Sequence, residues 1–135
     1  MKVLIIEDNE SMAKIVEEFL KIKGIDSKIV DNLYDATPLL KNYYHAIICD
    51  HNFYSHPDSS DTLALGTSIY FELRMVLSKR TPFFHWSGYP APSEYVGMNP
   101  DPNFFSYGKD RFDDMIDHIM TIFGKSEEAR SEKNS

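Results

Sequence analysis

Four apolar residues, Val3-Leu4-Ile5-Ile6, run without a break into Glu7-Asp8-Asn9. A β-branched run with no polar alternation has both faces buried, as a central strand of a parallel sheet does. Such a sheet needs helical crossovers, and the chain supplies them. Met12, Ile15, Val16, Phe19 and Leu20 recur at the spacing of a helix apolar on one face, and Gly24 stands where a C-cap glycine would close it. Residues 27–30 read as a second strand. Asp35 to Lys41 reads as a weaker helix with Pro38 in its first turn. Ala46 to Cys49 is a third, wholly apolar strand ending at Asp50, and a long polar loop runs from there to Gly66. Ile69, Leu73, Val76 and Leu77 mark a third helix, and Pro82 to Trp86 a fourth strand ending at Ser87. Between Gly88 and Pro102 stand Pro90, Pro92, Pro100 and Pro102, so a fourth helix there is short or irregular, at most Ser93 to Val96. Asn103 to Tyr107 is a fifth strand. Phe112, Met115, Ile116, Ile119, Met120 and Phe123 form the clearest helical stripe, which Gly124 is expected to end.

Five strands alternating with helices define an α/β chain with a parallel sheet covered on both faces. At 135 residues with 42% hydrophobic content, it has the material for one core. Residues 1–124 are read as that domain, and the polar stretch 125–135 as a disordered tail with no effector domain beyond it. The net charge of −7 argues against a nucleic-acid partner. The apolar run after Lys2 is too short for a signal peptide, and nothing approaches a membrane span. Cys49, the single cysteine, lies in an apolar run, so it reads as a buried, inert thiol and fits a cytoplasmic setting.

In open parallel sheets, ligands bind at the carboxyl ends of the strands. There the chain places Glu7 and Asp8 after strand one, Asp50 after strand three, Ser87 after strand four and Lys109 after strand five. Clustered carboxylates raise one another's pKa values, and a hard cation that prefers oxygen ligands relieves the conflict. A carboxylate can also act as a nucleophile toward phosphorus, while a lysine and a hydroxyl hold the remaining phosphate oxygens. Together these groups suit one chemistry, the formation of an aspartyl phosphate.

From about residue 2 to residue 123 the chain resembles the receiver domains of bacterial two-component response regulators. Leu4-Ile5-Ile6-Glu7-Asp8-Asn9, Ile47-Ile48-Cys49-Asp50, Ser87 and Lys109 carry the resemblance, in the family's order. It implies a flavodoxin-like fold with strand order 2-1-3-4-5. It implies Asp50 as phosphoacceptor, Asp8 as a direct ligand of Mg²⁺ or Mn²⁺, and Glu7 acting on the metal largely through water. The backbone carbonyl of Asn52 would be a further ligand, and Ser87 and Lys109 would contact the phosphoryl group. The implied partners are a histidine kinase or phosphotransfer protein and an unidentified downstream protein, with a homodimer left open and no membrane or nucleic acid.

The chain departs from the family pattern in several places. Tyr54 stands where proline is frequent, four residues after the acceptor. Gly66 follows Asp50 by sixteen residues rather than about eight, with Ser55 to Leu63 as the added stretch. Asp110, not proline, follows Lys109, which makes a cis Lys109 peptide less expected. Ser106 occupies the place of the usual switch aromatic, flanked by Phe105 and Tyr107. These departures motivate an alternative, a receiver-shaped interaction module that works without phosphorylation. An aspartyl-nucleophile phosphatase would carry a second aspartate two residues after the first, where this chain has Asn52. His51, His56, Asp58 and Asp61 crowd the added loop without the spacing of a tight metal site and read as loop polarity. His45, His85 and His118 read as structural or surface residues, and Trp86 as a packed indole with its N–H satisfied nearby.

Overall fold

The computed structural model of the chain describes residues 1–88 and 101–134, with 125–134 as backbone alone. In chain order the elements are β1 (Lys2–Ile6), α1 (Glu10–Ile22), β2 (Asp26–Val30), α2 (Leu33–Leu39) and β3 (Ala46–Cys49). Next come β4 (Asn52–Tyr54), β5 (Thr62–Ala64), α3 (Gly66–Phe71), β6 (Phe83–Ser87), β7 (Phe104–Gly108) and α4 (Phe112–Asn134). Five strands form one parallel sheet in the order β2-β1-β3-β6-β7. Counting only its own strands along the chain, this is the expected order 2-1-3-4-5. The expected fourth helix, with Pro90, Pro92 and Pro100, lies outside the described residues.

The sheet is buried on both faces along its central strands β1, β3 and β6. Val3, Ile5, Ile48, Phe84 and Trp86 pack against Ala13, Val16 and Leu20 of α1 and Met115, Ile116, Ile119 and Phe123 of α4. Leu4, Ile6, Ile47, Cys49 and Phe83 pack on the opposite side with Ala36, Ile69, Tyr70 and Leu73. One register row, Ile29, Ile5, Ile48, Phe84 and Phe105, crosses the whole sheet. That alignment brings the strand ends at Glu7, Asp50 and Ser87 to a common edge. No helix among the described residues is long and apolar enough to cross a membrane.

Gly24 does close α1. It sits at φ 78°, with its N–H donated to the Lys21 carbonyl and that of Ile25 to the Leu20 carbonyl, a Schellman arrangement. The α1 stripe is wider than its buried face, since Ile15 and Phe19 are partly exposed. Pro38 lies near the end of α2, not in its first turn. Asn32 caps that helix by accepting from the Asp35 N–H and so starts it two residues earlier than expected.

The turn after α3, Glu72–Val76, is π-helical. The extra residue shifts the helix face, so Arg74 turns inward and Val76, expected in the core, is exposed. Gly124 does not end α4, which continues to Asn134, because this glycine does not take the left-handed conformation that closes α1.

The loop after Asp50 is not irregular. β4 and β5 form an antiparallel hairpin in which Asn52, Phe53 and Tyr54 pair with Ala64, Leu63 and Thr62. Tyr54 donates its N–H to the Asp31 carbonyl, and Tyr34 donates to that of Ser55, so β4 docks beside the end of β2. Phe53 anchors the hairpin in the core beneath it. The alternation of Phe53 with the polar Asn52 and the half-buried Tyr54 is the strand signal inside a polar stretch.

Candidate functional site

Each acidic side chain leaves the carboxyl edge where its strand stops. The Glu7 N–H donates to the Val30 carbonyl and that of Asp50 to the Ile6 carbonyl, so the sheet ladder fixes both backbones. Glu7 Oε1 accepts from the Asn9 N–H at 3.2 Å, and the Asn9 side chain in turn caps α1. Asp50 Oδ1 accepts from the His51 N–H at 2.7 Å. Glu7, Asp8 and Asp50 each offer a carboxylate oxygen within 4.8 Å of the others. Among the described residues they are the one group of three or more His, Cys, Asp or Glu side chains close enough to share a cation. His51, His56, Asp58 and Asp61 do not form such a group.

Lys109 follows β7 and opens a short 3₁₀ turn, Lys109–Arg111. Its peptide is not cis, as none among the described residues is. The ammonium hydrogen-bonds Glu7 Oε2 and stands 3.5 Å from Asp50 Oδ2. It also lies over the Trp86 ring, 4.0 Å from the centroid. Trp86 was expected to be packed and is buried. Among the described residues, however, its indole N–H has no hydrogen-bond partner, which corrects the expectation that it would be satisfied nearby. Ser87 is buried at the end of β6, opposite Gly108 and two residues beyond the Cys49–His85 register pair.

The electrostatics are those of crowded carboxylates. Burial first, and the Asp50 charge second, raise Glu7 from 4.5 to about 7 against the pull of Lys109. Burial and the hydrogen bond and charge of Asp50 raise Asp8 as well. Burial pushes the Cys49 thiol up, which makes it the inert thiol expected. His85 is lowered to about 4 by burial and then by His51, so near neutral pH it is an uncharged ring. Its Nδ1 lies 3.2 Å from Ser106 Oγ.

Sequence reasoning brought Glu7, Asp8, Asp50, Ser87 and Lys109 to one place; the structure groups Glu7, Asp8, Asp50 and Lys109, and sets Ser87 on the same edge at the end of β6. It did not find that Trp86 forms a floor beneath Lys109. The one available signal was an aromatic residue placed immediately before a strand-ending serine. An all-oxygen donor set in which Glu7 and Asp8 are pushed toward protonation suits a hard divalent cation such as Mg²⁺ or Mn²⁺.

No family model matches the sequence, and no curated protein matches it. Solved structures do. The receiver domain of the Francisella response regulator 1452 is similar at TM-score 0.69 and 19% identity, over 93% of this chain and 98% of that one. A CheY-like receiver domain from Methanospirillum hungatei aligns at TM-score 0.65 and 14% identity, over 92% and 97%. A Burkholderia pseudomallei response regulator with a phosphorylated aspartic acid, calcium ion and citrate aligns at TM-score 0.64 and 18% identity, over 99% of this chain and 75% of that one. The chain has the fold of response-regulator receiver domains.

Proposed function

We propose that this chain is a phosphorylation-dependent signalling receiver in which Asp50 accepts a phosphoryl group from a histidine kinase or phosphotransfer protein. One observation carries the reading. A lysine ammonium bridges two of three clustered carboxylates at the edge where this fold class binds ligands. Asp50 is the nucleophile. An oxygen of its carboxylate forms the new bond to phosphorus as the bond to the donor nitrogen breaks, and the departing imidazole takes up a proton. Lys109 meets the phosphoryl oxygens from one side, and Ser87 from the end of β6. Asp8, Glu7, Asp50 and the Asn52 carbonyl would hold Mg²⁺ or Mn²⁺, which when bound neutralises phosphoryl charge. Water attack on phosphorus, with the Asp50 carboxylate leaving, returns the receiver to its resting state.

Phosphorylation biases the surface around Ser87 and β7 toward a downstream protein. The setting is cytoplasmic, and the partners are proteins rather than membrane or nucleic acid. The test is incubation with acetyl phosphate and Mg²⁺. Intact mass should gain one phosphoryl group in the wild type and none in Asp50→Asn. Absence of any response in the wild type overturns the reading in favour of a receiver-shaped module that binds its partner without phosphorylation.

A further inference from the structure

We infer that Trp86 is the positioning residue of the Lys109 ammonium, an inference that rests on the phosphoacceptor reading for its effect on rate but not for its geometry. The ammonium is held from three directions. Glu7 Oε2 accepts a hydrogen bond from it, Asp50 Oδ2 lies at 3.5 Å, and the Trp86 ring centroid lies at 4.0 Å. A cation over an indole face is drawn to the negative side of the ring quadrupole, and tryptophan is the strongest such partner among the aromatic side chains. A lysine stem carries four rotatable bonds, so without a surface to lie on its ammonium samples many positions. Trp86 is such a surface, held by the core around it. It is about 1% exposed and packed in the core shared with α1 and α4.

The placement follows from strand alternation. Side chains of β6 point to opposite faces in turn. Phe84 and Trp86 enter the core beneath α1 and α4, while Phe83 belongs to the core on the opposite face. Ser87 therefore leaves the strand end on the face away from Trp86. Lys109 follows β7, which pairs Trp86 with Tyr107 and Ser87 with Gly108, and so starts one residue past the last register pair. Its stem crosses the edge over the indole to reach Glu7. Ser87 and Trp86 thus take opposite faces of β6, and Lys109 lies on the Trp86 side. The ring sets how far the ammonium reaches across.

The experiment compares wild type, Trp86→Phe, Trp86→Leu and Lys109→Met in the full chain. Two readouts are taken: the Lys109 ε-methylene resonances by ¹H–¹³C NMR, and the rate of acyl-phosphate formation from acetyl phosphate with Mg²⁺. In the wild type the ε-methylene protons should be shifted upfield by the indole ring current, and Lys109→Met identifies the resonance by its loss. Trp86→Phe should keep part of the shift and most of the rate. Trp86→Leu should lose the shift and slow the reaction about tenfold, with melting temperature followed separately.

Unshifted ε-methylene protons in the wild type overturn the inference. So do Phe and Leu variants that slow the reaction equally and in step with their loss of stability, which would mark Trp86 as core alone. An upfield shift in a wild type that forms no acyl phosphate supports the placement of Lys109 and overturns the phosphoacceptor reading instead.

Discussion

Lys109 and Glu7 lie 102 residues apart in sequence and share a hydrogen bond at the carboxyl edge of the sheet. The lysine does not cancel the crowding around Glu7, whose pKa still rises from 4.5 to about 7. The folded chain therefore binds more protons than the unfolded chain between those two values. Protonation of Glu7 favours the fold fully below pH 4.5, and that advantage is lost as pH rises through about 7. Asp8 adds a shift of the same sign. At ~1.36 kcal/mol per pH unit, the Glu7 contribution is on the order of 3 kcal/mol. In metal-free buffer the urea midpoint should fall from pH 4.5 to 7. Glu7→Gln should remove most of that slope, and a flat wild-type profile would contradict the account.

A divalent cation should reverse the penalty. Binding to the folded chain alone stabilises it by about 2.7 kcal/mol at a hundredfold excess over Kd. Thermal unfolding in rising Mg²⁺ or Mn²⁺ should show that gain, and Asp8→Asn and Asp50→Asn should each diminish it. The apparent affinity should weaken as pH falls through about 7, where Glu7 takes up a proton in competition with the metal. Equal stabilisation of the triple variant Glu7→Gln, Asp8→Asn, Asp50→Asn would place the ion elsewhere.

The strands were legible because their apolar runs have one physical reading, burial on both faces, and the acidic residues sit where those runs stop. The alternation with helices gave a parallel sheet covered on both faces, and the resemblance to receiver domains gave its strand order. The hairpin was not legible. Its strands are three residues each and β5 is wholly exposed, so the single alternation around Phe53 is too short to stand out from the polar stretch. The π-helical turn was hidden for a different reason. A period of 3.6 was assumed through Glu72–Val76, and one extra residue in the turn exchanges Val76 for Arg74 on the inner face. In the site, the long-range pairing of Lys109 with Glu7 was foreseeable from topology. The contact with Trp86 depends on which face each residue of β6 takes, and one strand end decides it.

Arg74 illustrates what the extra residue contributes. Its guanidinium Nε donates to Asp101 Oδ2 at 2.8 Å, with both side chains nearly inaccessible at 4% and 6% exposure. The other nitrogens donate to the Lys79 and Asn103 carbonyls. Tyr70 donates its hydroxyl to the same Asp101 oxygen at 2.5 Å. Removing one member of a buried pair leaves the other charge uncompensated and costs about 3–5 kcal/mol. Asp101→Ala should lower stability by that order in urea unfolding, and Arg74→Met with Asp101→Leu together should cost less than the two singles added. The bonds from Tyr70 and Arg74 hold the Asp101 carboxyl below its usual 3.8 despite its burial. Its contribution is therefore present above pH 3.8 and lost as pH falls below that value. Additive single and double variants would show that Arg74 and Asp101 contribute independently rather than as a pair.

The hairpin after Asp50 divides into an anchor and a tip. Phe53 is fully buried, whereas Leu63, its register partner, is 54% exposed. Phe53→Ala should therefore cost about 3–5 kcal/mol, the range for a buried phenylalanine. Leu63→Ala should stay within about 0.5 kcal/mol, as exposed substitutions do. The connection from Ser55 to Asp61 lies beyond the last register pair, Tyr54–Thr62. Replacing it with Asn-Gly supplies a two-residue turn suited to a right-twisted antiparallel pair. Shortening a flexible loop shifts closure entropy only by about 0.6 kcal/mol per halving. The shortened chain should thus unfold within about 1 kcal/mol of wild type and still form the Asp50 acyl phosphate. If it folds equally well but no longer accepts phosphate from acetyl phosphate, the tip itself takes part in the site, and the division into anchor and tip fails.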